Sequence, residues 1–82
     1  MAKFELYGTA SCPYTREARE WLEWQGYAFV EYDVESDAAG RERMLALACG
    51  QRMVPVIVED GKVRHVGWQG RGCVISAAPL RT

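Results

Sequence analysis

Phe4-Glu5-Leu6-Tyr7-Gly8, then Thr9-Ala10-Ser11-Cys12, then Pro13-Tyr14-Thr15 set three different local structures within twelve residues. Phe4 to Tyr7 alternates and stops at Gly8, the pattern of a short strand. Gly8 to Cys12 is small and polar and reads as a loop. Pro13 suits the first position of a helix, where a backbone N–H would be unpaired in any case. Beyond it Ala18, Trp21, Leu22 and Gln25 recur at spacings of three and four, so a helix is expected from Pro13 to Gln25, with Gly26 as its stop.

Working outward, Tyr27 to Val34 is rich in aromatic and β-branched residues and reads as a second strand. Ser36 or Asp37 caps a second helix that runs to about Cys49, with Met44, Leu45, Leu47 and Ala48 as its apolar positions and Gly50 as its end. Val54-Pro55-Val56-Ile57-Val58 and Lys62-Val63-Arg64-His65-Val66 flank Glu59-Asp60-Gly61, and Asp-Gly is a strong hairpin signal. A glycine-rich loop from Gly67 to Gly72 follows, and Cys73 to Leu80 is long enough for about two helical turns. The expected order is β-α-β-α-β-β-α. A β-α-β opening requires a parallel pair with a right-handed crossover, and the hairpin adds antiparallel strands. The fold class is α/β, a four-stranded mixed sheet with helices on both faces.

The chain has 82 residues, room for one domain over 1–82. Its 49% hydrophobic and 26% charged residues are those of a soluble globular protein. A formal net charge of −1 gives no general attraction to nucleic acid or anionic lipid. No apolar run approaches the roughly 18 residues of a membrane span. Met1-Ala2-Lys3 leads directly into the first strand without the apolar core of a secretion signal, which points to the cytosol. Cysteines stand at 12, 49 and 73, too few and too odd a set for a secreted disulfide scaffold. In a reducing compartment a cysteine is either a small buried hydrophobe or chemically used.

Cys12 has the position for use. At a helix start its sulfur faces unpaired N–H groups and the positive end of the helix dipole. Such cysteines have pKa values of about 3.5–7.5 instead of about 8.5, and the thiolate is the attacking species in disulfide exchange. An inert cysteine at a helix start is the alternative from position alone.

Tyr7-Gly8-Thr9-Ala10-Ser11-Cys12-Pro13-Tyr14-Thr15 resembles the strand, loop and Cys-Pro-Tyr-Cys motif of the glutaredoxin family. Gly50-Gln51-Arg52-Met53-Val54-Pro55 is similar to its Gly-x-Arg-Thr-Val-Pro segment, and Val56 to Gly61 resembles the hairpin that follows. The resemblance covers nearly the whole chain. It implies a thioredoxin-like fold, Cys12 as nucleophile, and Pro55 as a cis proline facing it. It also implies glutathione as co-substrate, paired through the Val54 backbone and reaching Gly67, Trp68, Gln69, Gly70 and a helix start beyond the loop. Pro13, Tyr14, Arg52 and Met53 complete the substrate-binding set that the resemblance implies. Protein disulfides are the implied partners, the expected state is a monomer, and no metal is expected.

Three positions depart from the family pattern. Thr15 stands in place of the second cysteine, which leaves a monothiol cycle in which one glutathione is taken up by Cys12 and released by another. Thr15 either donates a hydrogen bond to the Cys12 sulfur or is an ordinary first-turn residue. Thr9 replaces a frequent lysine, and Arg16 or Arg52 can supply the missing cation, with Arg52 favoured because it matches the family segment. Val66-Gly67-Trp68-Gln69-Gly70-Arg71-Gly72 replaces Gly-Gly-x-x-Asp and is closer to the loop of redoxins reduced by thioredoxin reductase. Cys73, just beyond, is then a candidate partner for Cys12 in a dithiol cycle, provided the two Cα atoms approach within about 4.4–6.8 Å. Cys49, ending the second helix, reads as core or surface filler. A glutathione-dependent iron–sulfur carrier is a third reading, but those relatives usually carry Gly-Phe-Ser where this chain has Pro13-Tyr14-Thr15. His65 has no partner pattern for metal or base chemistry, Trp21 is expected to face the core, and Trp24 is open to either side.

Overall fold

Strand β1 (Phe4–Gly8) runs through the centre of the sheet and the other elements are placed by it. The computed structural model describes residues 3–75. In chain order they form β1, α1 (Pro13–Trp24), β2 (Phe29–Asp33), α2 (Ala38–Leu47), β3 (Met53–Val54), β4 (Val56–Glu59), β5 (Lys62–Val66) and β6 (Cys73–Val74). The main sheet has the order β2-β1-β4-β5. β1 is parallel to β2, as the β-α-β opening requires, and antiparallel to β4, with Tyr7 opposite Val56.

The two faces of the sheet carry separate cores. Phe4, Leu6 and Ile57 meet Ala18 and Leu22 of α1. Tyr7, Val56 and Val58 meet Val34 and Met44 on the side of α2. Side chains two apart on a strand share a face, so alternate residues of β1 and β4 serve opposite helices. In α1, Ala18 and Leu22 are four apart and lie on one buried stripe. Asp37 caps α2 by accepting from the Gly40 N–H at 3.0 Å. Asp60 and Gly61 both take positive φ in the two-residue turn between β4 and β5.

The structure corrects the sequence reading in two places. The expected strand from Val54 to Val58 is broken at Pro55, which has no N–H to donate to a ladder, and β3 pairs in a second sheet with β6. The helix expected from Cys73 is a strand at its start. Trp68 and Arg71 exchange backbone hydrogen bonds around a tight turn with Gln69 and Gly70 at positive φ, and this turn sends the chain back antiparallel along β3. Residues 76–80 of the expected helix lie outside the described residues. Among the described residues no helix is long and apolar enough to cross a membrane.

Asp37→Ala removes the one side-chain cap of α2 and should destabilise the fold by about 1 kcal/mol. Urea titration should show a lower midpoint with an unchanged slope.

Candidate active site

Cys12 is the N-cap residue of α1, with extended backbone (φ −86°, ψ 117°) and a carbonyl that accepts from the Arg16 N–H at 3.3 Å. No cap hydrogen bond to its side chain is formed, and the nearby backbone N–H groups of Thr15 and Tyr14 favour the thiolate, as a helix start favours an anion. The Thr15 hydroxyl also favours the thiolate, and it accepts from the Thr9 N–H at 3.4 Å. Thr15 is fully buried, and room for it exists because residue 8 is glycine. A Cβ at Gly8 would lie 2.5 Å from Thr15 Oγ1.

Cys73 comes to the site from the other sheet. It packs against the core cluster that contains Cys12, Val54 and Val56, and the acidities of the two thiols are linked. Burial pushes the Cys12 thiol up, but the hydrogen bonds from Cys73, from the Thr15 hydroxyl and from the Thr15 and Tyr14 N–H groups outweigh it, so Cys12 lies below its ordinary value. Cys73 is pushed up to about 11, because it donates to Cys12, is partly desolvated and faces the charge on that sulfur. One thiol is thereby set to ionise and the other to hold its proton.

The Val54–Pro55 peptide bond is cis. Val54 stands opposite Cys73 in the β3–β6 register. The Ile75 N–H donates to the Arg52 carbonyl at 2.8 Å. Hydrogen-bonded pairs alternate along an antiparallel ladder, so the next such pair is Val54–Cys73 and the Val54 N–H and C=O are both directed at β6. This alters two expectations. The Val54 backbone, expected free to pair with glutathione, already has a partner in the chain. The helix start expected beyond the glycine-rich loop is instead strand β6.

The remaining expected residues fall around this pair. Pro13 is exposed and shares a depression of about 140 Å³ with Cys12, Ser11 and Arg16. Arg16 is therefore the arginine brought to Cys12, whereas Arg52 is exposed just before β3. Met53 lies under the loop, its sulfur 3.0 Å from where a Cβ on Gly67 would stand. Trp68 and Gln69 line a depression of about 210 Å³ with Tyr14, Glu17 and Arg71. Gly67 and Gly70 line a second one of about 390 Å³ with Trp21 and His65. Sequence reasoning passed over Glu17, although its place one turn after Tyr14 puts it on the same helix face. Trp21 packs on the α1 core and against Trp68 (ring centroids 5.7 Å apart), and Trp24 is 84% exposed. Cys49 is exposed just beyond α2, apart from the other two thiols. Among the described residues no three His, Cys, Asp or Glu side chains gather as a metal site.

A cysteine held at the start of a helix, beside a cis proline on a mixed sheet, defines a thioredoxin-like protein built for thiol–disulfide exchange. Residues 4–64 match the glutaredoxin family profile, and the chain belongs to that family. It is 36% identical over 67 residues to "Glutaredoxin 3" of Escherichia coli K12, covering 82% of this chain and 77% of the relative. It is 41% identical over 56 residues to "Probable glutaredoxin slr1562" of Synechocystis, covering 68% of this chain but only 51%, about half, of that relative. Among solved structures, a point mutant of the thioredoxin-like protein BC3987 superposes with a TM-score of 0.72 at 36% identity, over 84% of this chain and 86% of the other. Glutaredoxin 1 of Francisella tularensis, solved with cacodylate, gives 0.57 at 27% identity, over 83% and 85%.

Thr15→Val keeps the shape and removes one donor to the Cys12 sulfur. The Cys12 pKa should rise towards its ordinary value, so alkylation slows on the acid side of the titration and is unchanged on the alkaline plateau. Iodoacetamide rates against pH, read on Cys12 by mass spectrometry, check this. An unmoved profile would mean that the hydroxyl does not hold the thiolate.

Proposed function

We propose that the protein reduces disulfides with Cys12 as nucleophile and Cys73 as resolving thiol, and that glutathione or another low-molecular-weight thiol regenerates the pair. The observation that carries this reading is that the β3–β6 pairing sets Cys73 opposite Val54 and packs it on the core cluster that contains Cys12, where Thr15 supplies no second thiol. Membership of the glutaredoxin family supports the class of reaction.

The Cys12 thiolate attacks one sulfur of the substrate disulfide, forms a mixed disulfide and expels the other sulfur as a thiolate, which takes a proton from solvent. Cys73 then gives up its proton to solvent. Its thiolate attacks the Cys12 sulfur, and the substrate's remaining thiolate leaves and is protonated. The substrate has gained two electrons and two protons, and Cys12 and Cys73 have become a disulfide. Two small thiols return the pair to the reduced state and leave as their own disulfide. With Cys73 absent, the mixed disulfide waits for an external thiol, which is the monothiol cycle.

Treatment of the reduced protein with glutathione disulfide should give a species lighter by two hydrogens, lost in both Cys12→Ser and Cys73→Ser. The Cys73→Ser variant should instead hold one glutathione on Cys12. A single stable glutathione adduct on the unaltered chain would overturn the resolving role of Cys73 and favour the monothiol cycle. No product dependent on Cys12 would overturn the reading as a whole.

A further inference from the structure

His65 takes no part in the proposed cycle, yet β5 carries it to the same side of the sheet as α1. It stands opposite Ile57 in the β4–β5 register, and Ile57 lies in the core beneath α1. Cross-strand partners share a face, so His65 is on the α1 face. There it meets Trp68 edge-on, with ring centroids 6.3 Å apart and planes at 66°. Trp68 in turn meets Trp21 of α1 at 5.7 Å and 59°. These three rings, each inclined to the next, bound the cavity of about 390 Å³.

The loop keeps this cavity open. Gly67 and Gly70 contribute no side chains to it, and both hold positive φ, 83° and 79°. A Cβ on Gly67 would strike the Arg71 carbonyl oxygen at 2.7 Å, whereas one on Gly70 would meet nothing within 4 Å. Among the described residues no carboxylate, lysine or arginine lines the cavity, and Gln69 adds an amide beside the His65 imidazole. A space of roughly 300–1,000 Å³ with aromatic walls and few polar groups is the usual form of a site for an uncharged organic group. Inclined walls give an entering ring one face and one edge to meet at once, the two arrangements that aromatic pairs prefer.

The cavity is continuous with the Cys12 site. Trp68 and Gln69 line it and also line the depression of about 210 Å³ that contains Tyr14, the second residue after Cys12. Trp21 is nine positions beyond Cys12, about 13 Å along a helix at 1.5 Å per residue. A ligand whose sulfur is at Cys12 spans that distance with about four extended residues. A polypeptide supplies that length and a small thiol does not.

We propose that this cavity is a specificity site for protein substrates and takes an uncharged aromatic side chain lying about three to five residues from the reacting cysteine. The proposal rests on the reading of Cys12 as nucleophile and names the class of protein substrate that Cys12 serves. It requires no role for Cys73.

The test uses disulfide-linked dimers of short peptides, each with one cysteine and with tyrosine or alanine at successive distances from it, and glutathione as reductant. At one of these distances kcat/KM for the tyrosine peptide should exceed that for the alanine peptide by roughly tenfold, through a lower KM. The preference should be lost in Trp68→Ala and weakened in His65→Ala. Equal kcat/KM at every distance, or a preference that survives both substitutions, would overturn the site. Binding is read apart from turnover in the Cys12→Ser chain, with peptides that carry serine in place of cysteine. The amide resonances of Val66, Gly67 and Gly70 should shift with the tyrosine peptide and not with its alanine counterpart, and the same response to both would overturn the site. Turnover that survives Cys12→Ser would instead mark failure of the nucleophile reading, and the amide shifts would still decide the cavity.

Discussion

The pairing of β1 on both of its edges is the constraint from which the site follows. β1 runs parallel to β2, so its last residue, Gly8, is level with Asp33, and the Gly8 carbonyl accepts from the Val34 N–H at 2.9 Å. β4 runs the other way, with Val56 opposite Tyr7, so Pro55 is level with Gly8. The loop that leads to Cys12 and the cis bond that precedes β4 therefore emerge at the same end of the sheet. No side chain of β1 and no residue of the loop is needed to bring them together; strand direction does it. Gly8 then makes the junction tight enough for Thr15 to fold beneath the helix start and reach the sulfur.

The opposed acidities of the two thiols have a consequence for the proposed cycle. Cys73 is held protonated first by its hydrogen bond to Cys12 and also by the charge on that sulfur. Both causes vanish when Cys12 enters a mixed disulfide, because the sulfur then carries no charge and is a poorer acceptor. The partial burial of Cys73 remains, so its acidity returns only part of the way. The resolving thiol is thus restrained while Cys12 waits for substrate and becomes easier to ionise once Cys12 has reacted. A pair in which both thiols were acidic would place two negative charges in contact before any substrate arrived.

Elements with a long or chemically marked pattern were legible from the residues. The spacing of Ala18 and Leu22, the cap at Asp37 and the Asp60-Gly61 turn each rest on local rules, and the structure has all three. What was not legible depends on contacts between distant segments. A strand of two residues has no period, so Cys73-Val74 could not be told from a helix start, and the pairing with Met53-Val54 that decides the matter lies about twenty residues away in the chain. The run from Val54 to Val58 looked continuous because its residues favour strands; the break comes from the missing N–H of Pro55. That Arg16 lines the depression at Cys12 follows from its place in the first turn of α1.

The hairpin that replaces the family's glycine loop changes what can recognise a small thiol. A helix start binds an anionic group through backbone N–H groups, with little regard for side chains. Among the described residues no helix follows Gly72, and the backbone of the loop is spent on its own turn, with Trp68 and Arg71 bonded to one another. Among the described residues, α1 and the hairpin offer side chains instead: Tyr14 and Glu17 from α1 and Trp68, Gln69 and Arg71 from the hairpin line one depression. A carboxylate and a guanidinium in one depression suit a ligand end that carries both charges, and they discriminate by position as a ring of N–H groups does not.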